Sequence, residues 1–211
     1  IRIKIQKVDF EGGFHLLAIF DPSATSQIIS DLLARVDYQG TRGDSDGVTR
    51  IGAAQVVERI LAAGGLAIPA HVEGDKGLLR VESGTRKCVM DANTVKAVLQ
   101  EPGILALEWT ASSSPVPMIL DELKLRFASV AGSDCHSFQG TAVPGSRYTW
   151  IKMARPSLEG LRLALLDGQE VSVKRSDESN GFAPFNTPEH FIESIEIRDA
   201  RYMGRGRTSA S

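Results

Sequence analysis

Two short phrases hold residue types that can do chemistry. In LAIPAHVEGD, His71 and Glu73 stand two residues apart just after an apolar run, and in VAGSDCHSFQG, Asp134 and His136 do the same. Imidazole and carboxylate are ligand types for zinc, manganese and iron. Residues i and i+2 of extended chain share a face, so Asp134 and His136 can aim at one ion. The same step also reads as a plain turn, because Ser133 and Asp134 are common turn residues. The chain has only four histidines, His15, His71, His136 and His190, so the place of each is informative. His15 lies in FHLLAIF, where it points either into a site or into the core; His190 follows Pro-Glu and reads as a surface residue. Glu108 is a carboxylate inside the otherwise apolar ILALEWT. Arg147, in GSRYTW downstream of the Asp-X-His step, either grips a phosphate oxygen or is a solvated loop arginine. Lys76 and Arg80 follow His71 and are weaker candidates for the same task. Cys135, between two candidate ligands, should point away from them, and Cys88 has no histidine near it in sequence, so neither reads as a nucleophile. No GxxxxGK[ST] phosphate loop occurs.

These groups need elements to position them. IRIKIQKV alternates, EGG turns and FHLLAIF is apolar, which predicts a hairpin. A helix follows in DPSATSQIISDLLARV, capped by Ser23 or Thr25, and a second in IGAAQVVERILAAGG, ended by Gly64–Gly65. YQGTRGDSDGVTR reads as a polar, glycine-rich loop, and EGDKGLLRVESGTRKC as a loop of mixed charge. Further helices are predicted in DANTVKAVLQEPG, capped by Asp91 or Asn93, after the prolines of SSSPVPMILDELKLRF, and in RPSLEGLRLALLDG, between Pro156–Ser157 and Gly168. LAIPAHV, ILALEWT and ASVAGSD are apolar throughout, as strands covered on both faces should be. YTWIKM, VSVKRS and FIESIEIRDARYM complete the strands, and GRGRTSAS is a polar tail. Alternating strands and helices predict an α/β barrel or a layered α/β domain with a parallel sheet. In such folds the site lies at the carboxyl ends of the strands, where His71, Asp134 and His136 fall.

The bulk properties exclude some classes. With 211 residues, 42% hydrophobic and 24% charged, the chain is an ordinary globular sequence. A net charge of −2 argues against a strongly basic nucleic-acid surface, though not against a local basic groove. No run approaches membrane-span length, so no membrane partner is expected. Two cysteines make a poor disulfide framework and predict reduced thiols in a cytoplasmic protein. The chain opens on IRIKI, which reads as the middle of a strand, and is expected to be part of a longer protein.

Taken together, GGLAIPAHVEGDKGLL, ILALEW and VAGSDCHS…GSRYTWIKMARPSLEGLRLALLD resemble the PHP (polymerase and histidinol phosphatase) family of metal-dependent phosphoesterases. The likeness is strongest to PHP domains fused in front of an AAA/SMC-like ATPase, the TrlF-like group. It runs from Ile1 to about Arg205 and is most specific between Gly132 and Leu166. The resemblance implies a distorted (β/α)7 PHP barrel, incomplete in this chain, over residues 1–175. It implies a linker and the start of an ATPase-like region over 176–211. His71 matches the histidine of the family's Ala-His motif, Asp134 and His136 its closing Asp-X-His, and His15 the histidine of an early strand. Those four would hold two or three divalent ions, zinc, manganese or iron, and His71, Asp134 and His136 would carry the catalysis. Arg147 would hold the substrate phosphate. The family's opening His-X-His, its Asp-His pair and its glutamate are not in this chain. A missing N-terminal PHP segment is therefore an expected partner, beside a C-terminal ATPase region and nucleic acid, with DNA repair as a setting. The implied activity is hydrolysis of a phosphoester or phosphodiester. The alternative is an inactive PHP module with a structural or regulatory role on the ATPase.

Overall fold

Local signals fix most helix ends. A computed structural model of the chain describes residues 2–5, 13–41, 47–135, 137–168 and 171–178, with the backbone alone for 2–5. Helix α1, Ser26–Arg35, starts where the Thr25 hydroxyl accepts the Ile28 N–H. In α2, Ala53–Ala62, the buried residues Ala53, Val56, Val57 and Ile60 recur at helical spacing. Asp91 caps α3, Ala92–Leu99, by accepting from Thr94 at 2.9 Å. Helix α4, Met118–Leu123, begins directly after Pro117. Ser157 caps α5, Leu158–Asp167, at 3.1 Å from the Gly160 N–H, and Gly168 ends it at φ 86°.

The strands are β1, Arg2–Ile5; β2, His15–Ile19; β3, Tyr38–Gln39; β4, Val48–Thr49; β5, Leu66–Pro69; β6, Ala106–Glu108; β7, Ala128–Val130; β8, Thr149–Ile151; and β9, Val173–Arg175. They form a sheet of order β3-β4-β1-β2-β5 and two ribbons, β6-β7 and β8-β9. A parallel bridge from Ala67 to Ile104 joins β5 to the chain entering β6. The fold is mixed α/β with five helices among the described residues. The expected parallel sheet holds only in part. Pairs β1·β4 and β6·β7 are parallel, whereas β1·β2, β2·β5, β3·β4 and β8·β9 are antiparallel. Strands β3 and β4 fall within the segment expected to be a loop. Among the described residues the strands do not close into a barrel. Those residues all lie within one compact unit, Ile1–Asn180, and none of their helices is long and apolar enough to cross a membrane. The strand expected in FIESIEIRDARYM lies outside the described residues.

Alternation along the strands splits the core in two. Leu16, Ala18, Ala67 and Leu107 pack with Leu32, Val57, Ile60, Val98 and Ile119 of α1 to α4. The other face, Leu66, Ile68, Ala106 and Ala128 with Leu17, Ile19 and Val130, packs against Leu165, Leu158 and Leu161 of α5 and Val173 of β9. By the two-residue period His15 shares a face with Leu17 and Ile19, and Glu108 with Ala106. Both therefore belong to the face that α5 covers.

Candidate functional site

Strands β5, β6 and β7 run the same way, so their carboxyl ends share one rim, and antiparallel β2 begins at that rim with His15. His15 is pinned from both sides: its N–H donates to the Lys76 carbonyl at 3.1 Å and its carbonyl accepts from Ala70 at 2.9 Å. His71, one residue further, turns out of the strand direction with φ 31°, a left-handed conformation that costs a non-glycine residue energy. The two buried imidazoles then meet. His15 Nδ1 lies 2.9 Å from His71 Nε2, with ring centroids 4.8 Å apart and planes at 68°. A neutral ring offers one N–H and one lone pair, so a single proton serves this contact. His15 is thus a rim residue as well as a core one.

Glu108 lies beneath this pair. It is 8% exposed, and its Oε2 accepts the His71 N–H at 3.0 Å, while its own carbonyl accepts from Val72 at 2.8 Å. The other carboxylate oxygen abuts Gly132, where an added Cβ would sit 2.5 Å from Oε1. Glycine at 132 is therefore a packing requirement of the carboxylate. Asp134 follows two residues later at φ 47°, the second site candidate in the left-handed region. His136 and His190 lie outside the described residues. The structure thus brings His15, His71 and Glu108 together directly, and carries Asp134 on the segment that passes the Glu108 carboxylate.

Glu73 and Arg147 turn out to be committed to neighbouring groups of the chain. Glu73 Oε1 accepts from Thr110 N at 2.6 Å, Thr110 Oγ1 at 2.7 Å, Ala111 N at 3.1 Å and Ser114 Oγ at 3.0 Å. Its Oε2 is buried with no hydrogen-bond partner among the described residues. Burial pushes this carboxyl up, but the hydrogen bonds, that of the Thr110 hydroxyl foremost, outweigh it and hold the group below its ordinary value. Arg147 donates from Nη1 to the Thr110 carbonyl at 2.9 Å and from Nη2 to the Ser133 carbonyl at 3.4 Å. Arg80 pairs with exposed Asp75 at 3.4 Å, a solvated contact worth little. Cys135 is exposed; burial pushes the half-buried Cys88 thiol up, which disfavours a nucleophilic thiolate.

Sequence reasoning missed Arg175, which is 1% exposed. Its Nε and Nη2 clasp both oxygens of Asp177 at 2.8 and 2.6 Å, and Nη1 donates to Ser129 Oγ at 3.1 Å. VSVKRSD carries no signal for this beyond the charge pair itself. A cavity of about 940 Å³ beside it, between Leu120 of α4 and Leu166 of α5, includes none of the candidate ligands.

No protein-family model, no curated protein and no solved structure matches the chain. Among the described residues no group of three or more His, Cys, Asp and Glu side chains is set to hold a metal ion. The donor set of His15 and His71 nevertheless suits a borderline cation, since imidazole nitrogens bind zinc at about 2.0–2.1 Å. A modest opening of the 2.9 Å contact would let both nitrogens face one ion.

Proposed function

We propose that this chain is the larger part of a PHP-type metal-dependent phosphoesterase. His15, His71, Asp134 and His136 would hold the divalent ions, zinc, manganese or iron, and the complete fold would be the distorted (β/α)7 barrel. The observation that carries the reading is the contact between His15 and His71, residues 56 apart in sequence, at the shared carboxyl rim of β5 and β6. When bound, the cations supply Lewis acidity at a phosphoryl oxygen and acidify a water. The chain's own part is positional. Glu108 anchors the His71 backbone, and Gly132 lets the segment leading to Asp134 pass that carboxylate. An N-terminal PHP segment, a C-terminal ATPase region and a nucleic-acid substrate are the partners that go with this reading.

The test is metal analysis of the full-length protein together with hydrolysis of bis(p-nitrophenyl) phosphate in Mn²⁺ or Zn²⁺. Stoichiometric metal and turnover, both lost in His71→Ala, are the expected result. A protein without metal or turnover, in which His71→Ala alters only stability, would sink it. The second reading, a non-catalytic module bracing an attached ATPase, draws on how fully Glu73 Oε1 and the Arg147 amino groups are committed to neighbouring groups. It predicts metal-independent folding and no turnover.

A further inference from the structure

The exits of β5, β6 and β7 are tied by one series of hydrogen bonds. Glu73, two residues after His71, holds Thr110 and Ala111 by their N–H groups. The carbonyl of the same Thr110 accepts from Arg147, whose other amino group reaches the Ser133 carbonyl, next to Asp134. Two residues on from Arg147, the Thr149 hydroxyl accepts the Ala131 N–H at 2.8 Å and donates to the Ala131 carbonyl at 2.9 Å. Side chains 147 and 149 thus grip backbone 133 and 131 with matching two-residue spacing, where a strand ladder would otherwise run.

We propose that Glu73 and Arg147 are positioning residues that act through Thr110 to set the span between His71 and Asp134. Arg147 is then a strut between two strand exits rather than a grip on substrate phosphate. The inference rests on the metal-site reading above and assigns it an outer support. Its physical basis is general: groups that orient ligands from outside tune metal affinity, and losing one costs about 10–100-fold.

Zn²⁺ titration of the full chain tests it, beside thermal melting, in Arg147→Ala, Arg147→Lys, Glu73→Gln and the Glu73→Gln/Arg147→Ala double variant. Arg147→Ala is expected to weaken Zn²⁺ binding about 10–100-fold, the usual cost of losing an outer-sphere partner. Arg147→Lys should recover part of that loss, since lysine can still reach one carbonyl. Glu73→Gln keeps the acceptor and removes the charge, so its loss should be smaller. The double variant should lose scarcely more than Arg147→Ala alone, because the two act in series. Unchanged Zn²⁺ affinity in Arg147→Ala, with only weaker inhibition by inorganic phosphate, overturns the strut in favour of the phosphate grip. Strictly additive losses overturn the series. If the wild-type chain takes up no Zn²⁺, the metal reading fails by itself, and amide hydrogen exchange still decides the strut. Arg147→Ala should then speed exchange at Thr110, Ala111 and Asp134 together, and unchanged exchange at those amides overturns it.

Discussion

Among the described residues, the buried polar side chains at Arg175 and at His15 and His71 are completed in different ways. At Arg175 the three guanidinium nitrogens meet acceptors from within the chain, Asp177 and Ser129. At His15 and His71 two nitrogens of like chemistry face each other across 2.9 Å. A guanidinium and a carboxylate complement each other and call for nothing more. Two imidazole nitrogens need something positive between them, a proton or a cation. The first arrangement is a closed brace; under the metal-site proposal the second is a receptor. Burial of polar groups alone does not mark a functional site; the proposal of a metal site rests on which groups meet, two imidazole nitrogens at 2.9 Å.

The sharpest way to break that contrast is to attack the brace. Asp177→Ala leaves a 1%-exposed guanidinium without its carboxylate; loss of one partner of a fully buried pair costs about 3–5 kcal/mol, an upper bound here because Asp177 is 31% exposed. Urea unfolding at neutral pH should show a loss of that order, with Zn²⁺ uptake per folded molecule unchanged. A loss under about 1 kcal/mol would place this pair among ordinary surface ion pairs. The receptor should answer the opposite way. His71→Ala is expected to weaken Zn²⁺ binding by more than about 100-fold, beyond the cost of losing an outer partner, with a smaller loss of stability than Asp177→Ala. If the two variants lose stability and metal affinity in the same ratio, the distinction fails.

Gly132→Ala sharpens the receptor side. Its Cβ would lie 2.5 Å from Glu108 Oε1, and overpacking of this kind costs about 1–3 kcal/mol. Shortening the neighbour in a Gly132→Ala/Glu108→Asp pair should restore part of it, read as a coupling in a double-mutant cycle; strict additivity would mean that the two do not meet. The smallest effect is a pH dependence. The Arg175 hydrogen bonds hold the Asp177 carboxyl below its ordinary 3.8, against the raising effect of partial burial. A carboxylate lowered in the folded state adds stability that is complete above the unfolded value and lost as pH falls through the folded one. Acid titration of unfolding should therefore show a loss beginning near pH 4 and continuing below 3.8, and Asp177→Asn should flatten it.

Much of the fold is legible in the sequence where the signal is local. Thr25, Asp91 and Ser157 sit where their caps form, and Gly64 and Gly168 where helices end, because capping involves residues within one turn. Strands β3 and β4 are not legible. Each is two residues long within a polar, glycine-rich stretch, and β4 is completed by pairing with β1, far off in the chain. Nor is the burial of Leu78 and Leu79 inside a stretch of mixed charge. At the site, His71 and Asp134 are readable from their places at strand ends. The meeting of His15 with His71 is not, since it depends on β2 running against β5 in a register that sequence does not announce. The acceptors of Arg147 are hidden for a similar reason: backbone carbonyls leave no trace in residue identity.

The Thr149 hydroxyl has one more consequence. Between Ala131 and β8 it takes the place of a ladder partner, beside the Arg147 grip on Ser133, while the backbone of β8 pairs with β9. Residues 137–146, exposed for most of their length, can then change in number while β9 and the two side-chain grips keep β8 in place. Each doubling of such a segment costs only about 0.6 kcal/mol of closure entropy. That makes this stretch the natural place in the molecule for a graft, a tag or a lineage-specific insertion.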